Sequence, residues 1–214
     1  MSSSATAVRA PRADALRNRE RIVAAAREIF VEFGPDVPLD EIARRAGVGN
    51  ATLYRNFPDR RELIHHVVLS VMERNLDQVE AAEAEEPDAF SALSRFVHAA
   101  ADERIGALCP VLSDAFDQNE PQLVAVKLRL EEAVERLMGR ARREGQLRTD
   151  VASGDLFVAI TQLTRPLPVS NCKADTFDQF VHRHLQLFLD GLRAPARSEL
   201  PGSPATFEDL RQQS

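Results

Sequence analysis

The chain has 214 residues, of which 44% are hydrophobic and 28% charged, and its formal net charge is −6 at pH 7. Such a chain can bury a core without disulfides or metal ions, and its acidity excludes a uniformly basic nucleic-acid coat protein. Its two cysteines, Cys109 and Cys172, are too few for a disulfide scaffold and lack zinc-finger spacing. With no signal-peptide pattern and no apolar run of about 18 residues, we expect a cytoplasmic protein.

The N-terminal segment predicts three helices and the start of a fourth. Residues 1–13 are small, polar and basic, which indicates a disordered basic arm. A first helix starts with Asp14 as its cap and stops at Gly34-Pro35. Its apolar residues recur every three or four positions, which predicts an inner face made of Ile22, Ala26, Ile29, Phe30 and Phe33.

Two short helices follow, separated by Gly47-Val48-Gly49. Pro38 suits the first position of the second helix, and the third runs over residues 50–57 until Pro58. The segment 59–62 reads as a capping box that opens a fourth helix of about twenty residues. Its apolar positions are Leu63, Ile64, Val67, Val68, Val71, Met72, Leu76 and Val79.

The remaining chain is also predicted to be helical, and no convincing strand alternation or internal repeat is present. Asp88, Pro121 and Ser153 mark helix starts, a shorter helix covers residues 108–116, and a last one covers residues 176–192. We therefore predict an all-α fold with four parts. These are a disordered arm (1–13), a helix-turn-helix DNA-binding domain (14–66), a ligand-binding and dimerisation domain (67–193) and a flexible tail (194–214).

The most informative segment is LDEIARRAGVGNATLYRNFPDRREL, residues 39–63, because two short helices joined by a glycine turn form a helix-turn-helix. Leu53 and Phe57 lie one turn apart and anchor the third helix. The residues left exposed carry hydroxyls, amides and a guanidinium, which suit phosphates and base edges in a DNA groove. They are Asn50, Ala51, Thr52, Tyr54, Arg55 and Asn56.

The charge distribution agrees with this interpretation. Residues 1–66 hold 11 arginines against 9 acidic residues, while residues 67–214 hold 16 basic and 24 acidic residues. The acidic total therefore belongs to the second part of the chain. Arg55, Arg60 and Arg61 cluster at the third helix and its exit, although charge runs on helices often only solvate a surface.

These motifs resemble the DNA-binding domain of the TetR (tetracycline-repressor-like) family. The resemblance rests on IVAAAREIFVEFG (22–34), EIARRAGVGNATLYRNF (41–57) and DRREL (59–63), and covers about a fifth to a quarter of the chain. It implies a homodimeric transcriptional regulator, in the main a repressor, that binds a palindromic operator in double-stranded DNA and is released by a small-molecule effector.

The resemblance also assigns roles to matching positions. Thr52 and Tyr54 match residues that contact the operator backbone. Ala51, Arg55 and Asn56 match positions that face bases or nearby phosphates. Arg60 matches a lysine that holds a phosphate. Three positions depart from the family: Pro38 replaces a frequent threonine, Asn56 a frequent histidine, and Gly49 a capping serine, which leaves Asn50 as an alternative cap.

For the second domain the resemblance is architectural. It implies dimerisation through the last two helices, and the final helix carries a stripe that suits this role: Phe177, Phe180, Val181, His184 and Phe188. A stripe that faces its own core is the alternative. Polar groups among apolar neighbours are candidates for the effector site, with two phenylalanines as walls: Phe96, His98, Phe116, Thr161, Gln162 and Arg165.

Two other classes of protein remain as alternatives. An enzyme is disfavoured because the pairs His65-His66 and His182/His184 do not share a helix face, and no P-loop, GxSxG or HExxH motif is present. We therefore predict no catalytic residue, no metal, no cofactor and no membrane association. A helical interaction module whose first domain contacts protein rather than DNA is the second alternative.

Overall fold

The computed structural model describes residues 11–104, 108, 117, 119–165 and 174–211, without the side chains of 11–13 and 174–178. This part of the chain forms nine α-helices and no β-strand, which confirms the all-α prediction. None of these helices is long and apolar enough to cross a lipid bilayer. The helices are α1 (Pro11–Phe33), α2 (Leu39–Ala46), α3 (Asn50–Asn56), α4 (Arg60–Glu85), α5 (Ala89–Asp102), α6 (Pro121–Arg143), α7 (Ser153–Leu163), α8 (Ala174–Leu192) and α9 (Phe207–Arg211).

The first four helices enclose one hydrophobic cluster, which we call the head core. It contains every apolar position predicted for α1 except Phe33, and it continues into the first half of α4. Phe33 is 65% exposed because α1 ends there and the chain turns away at Gly34, whose φ is +85°. The head core comprises Ile22, Val23, Ala25, Ala26, Ile29, Phe30, Ile42, Ala43, Ala46, Leu53, Phe57, Leu63, Ile64, Val67, Val71 and Leu108.

A larger cluster, the body core, fills the space between α4, α5, α6, α7 and α8. The apolar positions predicted for α5 lie in it, from Phe90 to Ala100, as do Leu137 and Met138 of α6. α4 contributes Leu76, Val79 and Ala82 to this core. α4 is therefore one continuous helix that belongs to both clusters, and the predicted domain boundary at residue 66 lies within it.

Several predicted helix starts and ends are shifted. Asp14 lies inside α1 and pairs with Arg17 rather than capping the helix. Pro38 precedes α2 as its N-cap, and Ala152 rather than Ser153 precedes α7. Ser153 is instead buried and donates its hydroxyl to Glu135. α4 runs to Glu85, through the acidic stretch where we expected it to end.

A three-residue ion cluster joins the head to the body. Glu103, at the end of α5, pairs through Oε2 with Arg27 of α1 and lies 3.0 Å from the Nε atom of Arg74 on α4. Glu103 is only 15% exposed. Burial lowers the pKa of Arg74, and the nearby Arg27 charge lowers it further. One carboxylate thus connects α1, α4 and α5.

The C-terminal segment differs from the predicted flexible tail, because residues 194–211 pack on the body. Buried Arg148 pairs with Asp150 at 2.6 Å and donates to the carbonyl of Ser198 at 2.7 Å. The Phe207 ring lies 6.0 Å from the ring of Phe157 on α7, and Arg211 pairs with Glu131 of α6 at 2.8 Å. These contacts with α6, α7 and the loop before α7 give the segment a defined docking site. Residues 212–214 lie outside the described residues.

Gly154 makes this docking site testable. A Cβ atom at Gly154 would lie 2.5 Å from the carbonyl oxygen of Ala205 and 2.7 Å from that of Thr206. We expect Gly154→Ala to displace the C-terminal segment, because backbone atoms would have to move, although alanine itself favours a helix by about 0.5–1 kcal/mol. Limited trypsin digestion should then cleave after Arg197 several-fold faster than in the wild type.

Gly191→Ala is the control, because nothing lies within 4 Å of a Cβ atom at that helical position. Equal cleavage rates for the wild type and Gly154→Ala would contradict the docked position of the segment.

Candidate nucleic-acid interface

The turn between α2 and α3 is fixed by its backbone. Gly47 has the left-handed values φ 63° and ψ 39°, and its N–H donates to the carbonyl of Arg44 at 3.1 Å. The N–H of Val48 donates to the carbonyl of Ala43 at 3.0 Å, so the last carbonyls of α2 are satisfied as in a Schellman motif. Gly49 then adopts an extended conformation and caps α3 without a side-chain bond. Asn50 is therefore the first helical residue and not the cap.

α3 is held in place by its buried side. Leu53 and Phe57 are fully buried in the head core, and Val48 packs against the same core at the corner between the helices. From α2, Ile42 and Ala43 face them. The predicted anchors are thus confirmed, and the opposite side of α3 is left to solvent.

Arg19 of α1 binds the C-terminal end of α3. Its Nη1 atom donates to the carbonyl of Asn56 at 2.9 Å, its guanidinium lies 4.5 Å from the centre of the Phe57 ring, and its Nη2 atom contacts Nε2 of His66. Burial lowers the pKa of His66, and the Arg19 charge lowers it further, while Glu62 opposes them. Nε2 of His66 thus lies between the Arg19 guanidinium and the Glu62 carboxylate, and the ring links α1 to α4.

The residues predicted to contact DNA lie together on α3. Asn50, Ala51, Tyr54 and Arg55 are exposed, with 49% of Tyr54 accessible, whereas Thr52 and Asn56 are half-buried. Arg55 donates from Nε to its own helix at the carbonyl of Ala51, 3.0 Å away. The amide of Asn56 donates to the carbonyl of Thr52 at 2.8 Å. This amide therefore closes the helix end, and only part of its hydrogen-bonding capacity remains for a nucleic acid.

Arg60 occupies the start of α4, beside the exit from α3. Its Nη1 atom donates to the carbonyl of Pro35, so in this structure the side chain is turned toward the loop before α2. Asp59 caps α4 by accepting from the N–H of Glu62 at 2.8 Å, which is half of the predicted capping box. The other half is replaced, because Glu62 Oε1 lies 3.0 Å from Nε2 of His66.

Two arginines of α2 are engaged with carboxylates. Arg45 pairs with Glu32 of α1 at 2.9 Å, and this hydrogen bond lowers the pKa of Glu32. Arg44 pairs with Glu41, whose pKa it lowers in the same way. These ion pairs neutralise part of the positive charge of the head. The arginine charge that faces solvent at α3 and its exit is carried by Arg55 and Arg61, which are both exposed.

The candidates for an effector site fall into different environments. Phe96 is buried in the body core, Gln162 and Arg165 are exposed, and Phe116 lies outside the described residues. His98 pairs with His182. The Thr161 hydroxyl is buried and has no hydrogen-bond partner among the described residues, a condition that it shares with Oδ1 of Asn75 and Nη2 of Arg74. Asn75, on α4, was not predicted, because its position in the helix is that of an ordinary core residue.

The predicted dimerisation stripe divides between two faces of α8. Val181 is only 7% exposed and belongs to the body core, and Phe188 packs against that core, so the structure removes Val181 from an outer surface. Phe180 and His184 are exposed, whereas Phe177 lies outside the described side chains. Leu187, one turn beyond His184 and 60% exposed, joins the outer face, and α7 adds the exposed Phe157 and Val158.

Sequence reasoning also missed Arg19, Arg45 and Leu187. The arginines looked like surface charge, and only the fold shows that they reach carbonyls and carboxylates 13 to 37 positions away. Leu187 could have been found from its spacing of seven residues from Phe180, which keeps both side chains on one helix face.

Two glycines of the turn provide a test of this geometry. Gly47→Ser should lower the free energy of unfolding by about 1–2 kcal/mol, because a residue with a Cβ atom is strained in the left-handed region. Gly49→Ser should raise it by about a few tenths of a kcal/mol, because Gly49 is extended, has open space around it and is an N-cap. Urea denaturation measures both changes. Equal effects at the two positions would contradict the described turn.

Comparisons with known proteins agree with this architecture. Residues 22–67 match the family profile of bacterial regulatory proteins of the tetR family, and residues 86–194 match the C-terminal domain of SbtR-like transcriptional regulators. An HTH-type transcriptional regulator of Staphylococcus aureus is 39% identical over 67 residues, which are 31% of this chain and 34% of that protein. The match thus spans about a third of the length of the curated relatives.

Solved structures extend the similarity over most of the chain. A TetR transcriptional regulator from Streptomyces coelicolor is 33% identical, with a TM-score of 0.61, over 83% of this chain and 99% of that one. The TetR-like regulator LfrR from Mycobacterium smegmatis, solved in complex with proflavine, shares the fold at 21% identity, with a TM-score of 0.59 over 86% of this chain and 99% of that one. The chain belongs to the TetR family of bacterial regulatory proteins.

Proposed function

We propose that the chain is a DNA-binding transcriptional regulator that inserts α3 into the major groove of double-stranded DNA. The observation that carries this proposal is the division of α3 into two sides. Leu53 and Phe57 fix one side in the head core, and Tyr54 and Arg55 stand exposed on the other. A helix of this kind needs a rigid support, because side chains must reach base edges in a defined register. Membership in a family of regulatory proteins supports the same conclusion and disfavours an enzyme.

Each exposed group has a chemical role in this proposal. Arg55 reaches a guanine edge or a phosphate once it leaves the carbonyl of Ala51. The hydroxyls of Thr52 and Tyr54 donate to phosphate oxygens, and the small Ala51 permits contact with a thymine methyl group. Asn50 offers an exposed amide at the start of the helix.

Arg60 and Arg61 complete the DNA surface in this proposal. Arg60 has to exchange the carbonyl of Pro35 for a phosphate, whereas Arg61 is already exposed. Since a phosphate bears a full charge and a carbonyl does not, the exchange favours the bound state.

We further propose that two copies bind a palindromic operator. A single short recognition helix makes few contacts, and two-fold symmetry doubles them. The outer faces of α7 and α8 supply the surface, because Phe157, Phe180 and Leu187 expose apolar area that a second copy would cover. His184 lies on the same outer face between Phe180 and Leu187.

The body is proposed to bind a small-molecule effector that releases the DNA. LfrR, whose fold this chain shares, was solved with proflavine, and the two buried groups Asn75 Oδ1 and Thr161 Oγ1 would gain a partner from a polar ligand. Such a ligand lowers DNA affinity if it favours a conformation that DNA does not. The Glu103 ion cluster supports coupling of this kind, since it joins α1 to the body. We place this repressor in the cytoplasm, with its DNA.

The DNA contacts are tested by a retardation assay on DNA from upstream of its gene. Arg55→Ala should weaken specific binding by about 1–3 kcal/mol, and Tyr54→Phe by less, because only one hydroxyl is lost. The affinity of the wild type should fall steeply as salt is raised. Arg129→Ala, an exposed arginine of α6, is the control and should bind like the wild type.

Binding that neither salt nor Arg55→Ala changes would contradict the proposed interface. Such a result would favour a head that contacts protein instead of DNA.

A further inference from the structure

Two histidines on different helices of the body face each other. Nδ1 of His98, on α5, lies 2.9 Å from Nδ1 of His182, on α8. The ring centres are 5.1 Å apart and the ring planes differ by 29°. The distance between the ring centres is close to the Nδ1–Nδ1 distance plus about two ring radii. The two Nδ1 atoms therefore lie nearly on the line between the ring centres, as in a hydrogen bond. Such a bond needs a hydrogen on one of the two nitrogens.

The outer nitrogens of both rings face oxygen atoms that can only accept. Nε2 of His182 lies 3.0 Å from a carboxylate oxygen of Asp102, and Nε2 of His98 lies 3.3 Å from Oε1 of Gln186. The Gln186 amide cannot be reversed without cost, because its nitrogen donates to Asp190 at 2.9 Å. Both Nε2 atoms are thus positioned to donate a hydrogen.

A count of hydrogens follows from these contacts. A neutral imidazole has one N–H donor and one acceptor nitrogen, so two neutral rings with hydrogen on Nε2 would turn two lone pairs toward each other. If one ring carries its hydrogen on Nδ1 instead, the contact between the two Nδ1 atoms becomes a hydrogen bond. The Nε2 atom of that ring then has no hydrogen and faces an oxygen acceptor. One additional proton on the pair satisfies the Nδ1–Nδ1 contact and both Nε2–oxygen contacts. A second additional proton would place two Nδ1–H groups against each other.

The surrounding charges favour one positive charge on the pair. Asp102 of α5 contacts it directly, and Asp190 of α8 contacts it through Gln186. Several other charged groups of the neighbouring helices are engaged elsewhere: Arg95 with Glu85 and Glu86, Glu103 with Arg27 and Arg74, Arg136 of α6 with Glu83, and Asp155 of α7 with the backbone of Ala152 and Ala205. Arg183, beside His182, is exposed, and the side chain of Asp178, one turn before His182, lies outside the described side chains.

We propose that His98 and His182 share a single proton, and that this histidine clasp makes the packing of α5 against α8 depend on pH. The clasp consists of His98, His182, Asp102 and Gln186. It lies between a helix of the body core and the helix whose outer face carries Phe180 and Leu187. The proton therefore acts on the part of the molecule that would hold a second copy.

The sign of the pH dependence follows from proton uptake. Two histidines in the unfolded chain hold less than this shared proton at neutral and higher pH, so folding takes up a proton there. The free energy of unfolding then falls as the pH is raised and the shared proton leaves.

His182→Asn tests the clasp, because an asparagine amide stands close to the place of Nδ1 and can donate to His98 without an additional proton. We expect urea denaturation between about pH 5 and pH 8 to give a flatter dependence of stability on pH than in the wild type. His184→Asn is the matched control on the same helix. The ring of His184 contacts the carbonyl of Phe180, so this variant should keep the wild-type dependence.

Nuclear magnetic resonance of the intact wild-type chain, labelled with ¹⁵N in histidine, supplies a second measurement that needs no variant. Hydrogen on both Nε2 atoms and a pair that titrates in two separate steps would support the clasp. Two independent titrations of His98 and His182, or an unchanged pH dependence in His182→Asn, would overturn it. Stoichiometric binding of Zn²⁺ that is lost in His182→Asn would also overturn it, because a metal ion would then occupy the place of the proton.

Discussion

The structure depends on the burial of Leu53 and Phe57, because α3 has only seven residues and a helix of that length is not stable alone in water. Its geometry is therefore imposed by the head core, by the left-handed Gly47 and by Arg19, which holds the last turn. This requirement explains why side chains of α1 and α4 support the exposed side of α3, although they are not part of it. The exposed residues of α3 are presented by a scaffold, and they contribute little to it.

The continuity of α4 connects that scaffold to the body. The first half of the helix belongs to the head core and the second half to the body core, so a shift of the helix moves both. The carboxylate of Glu103 adds a second link to α1. Such packed elements have few alternative arrangements, and in the proposed mechanism a ligand or a proton bound in the body would act on DNA affinity through them. The histidine clasp and the unpartnered side-chain groups of Asn75 and Thr161 lie in the part of the chain where that influence would begin.

The sequence predicted the helices, the turn and the buried side of α3 well, because each rests on local signals: periodic apolar residues, glycine and proline. It failed where tertiary contacts decide. Phe33 has the right spacing for a core residue but lies past the end of the packed surface, and Val181 belongs to the core rather than to the outer face. Residues 194–211 look like a loose tail because they are rich in proline. Their docking site is formed by Arg148, Gly154 and Phe157, which are distant in the sequence. The hydrogen-bond partners of Arg19, Arg60 and His98 could not be read from sequence for the same reason.

In the proposed function, the exposed side of α3 reads DNA in a dimer. Footprinting of the intact protein on the DNA upstream of its own gene tests it most directly. We expect protection of two inverted half-sites whose centres are separated by about one helical turn, near 10 base pairs, or a multiple of it. Arg55→Ala should lose that protection. Protection of a single asymmetric site, or no protection under low-salt conditions, would contradict it.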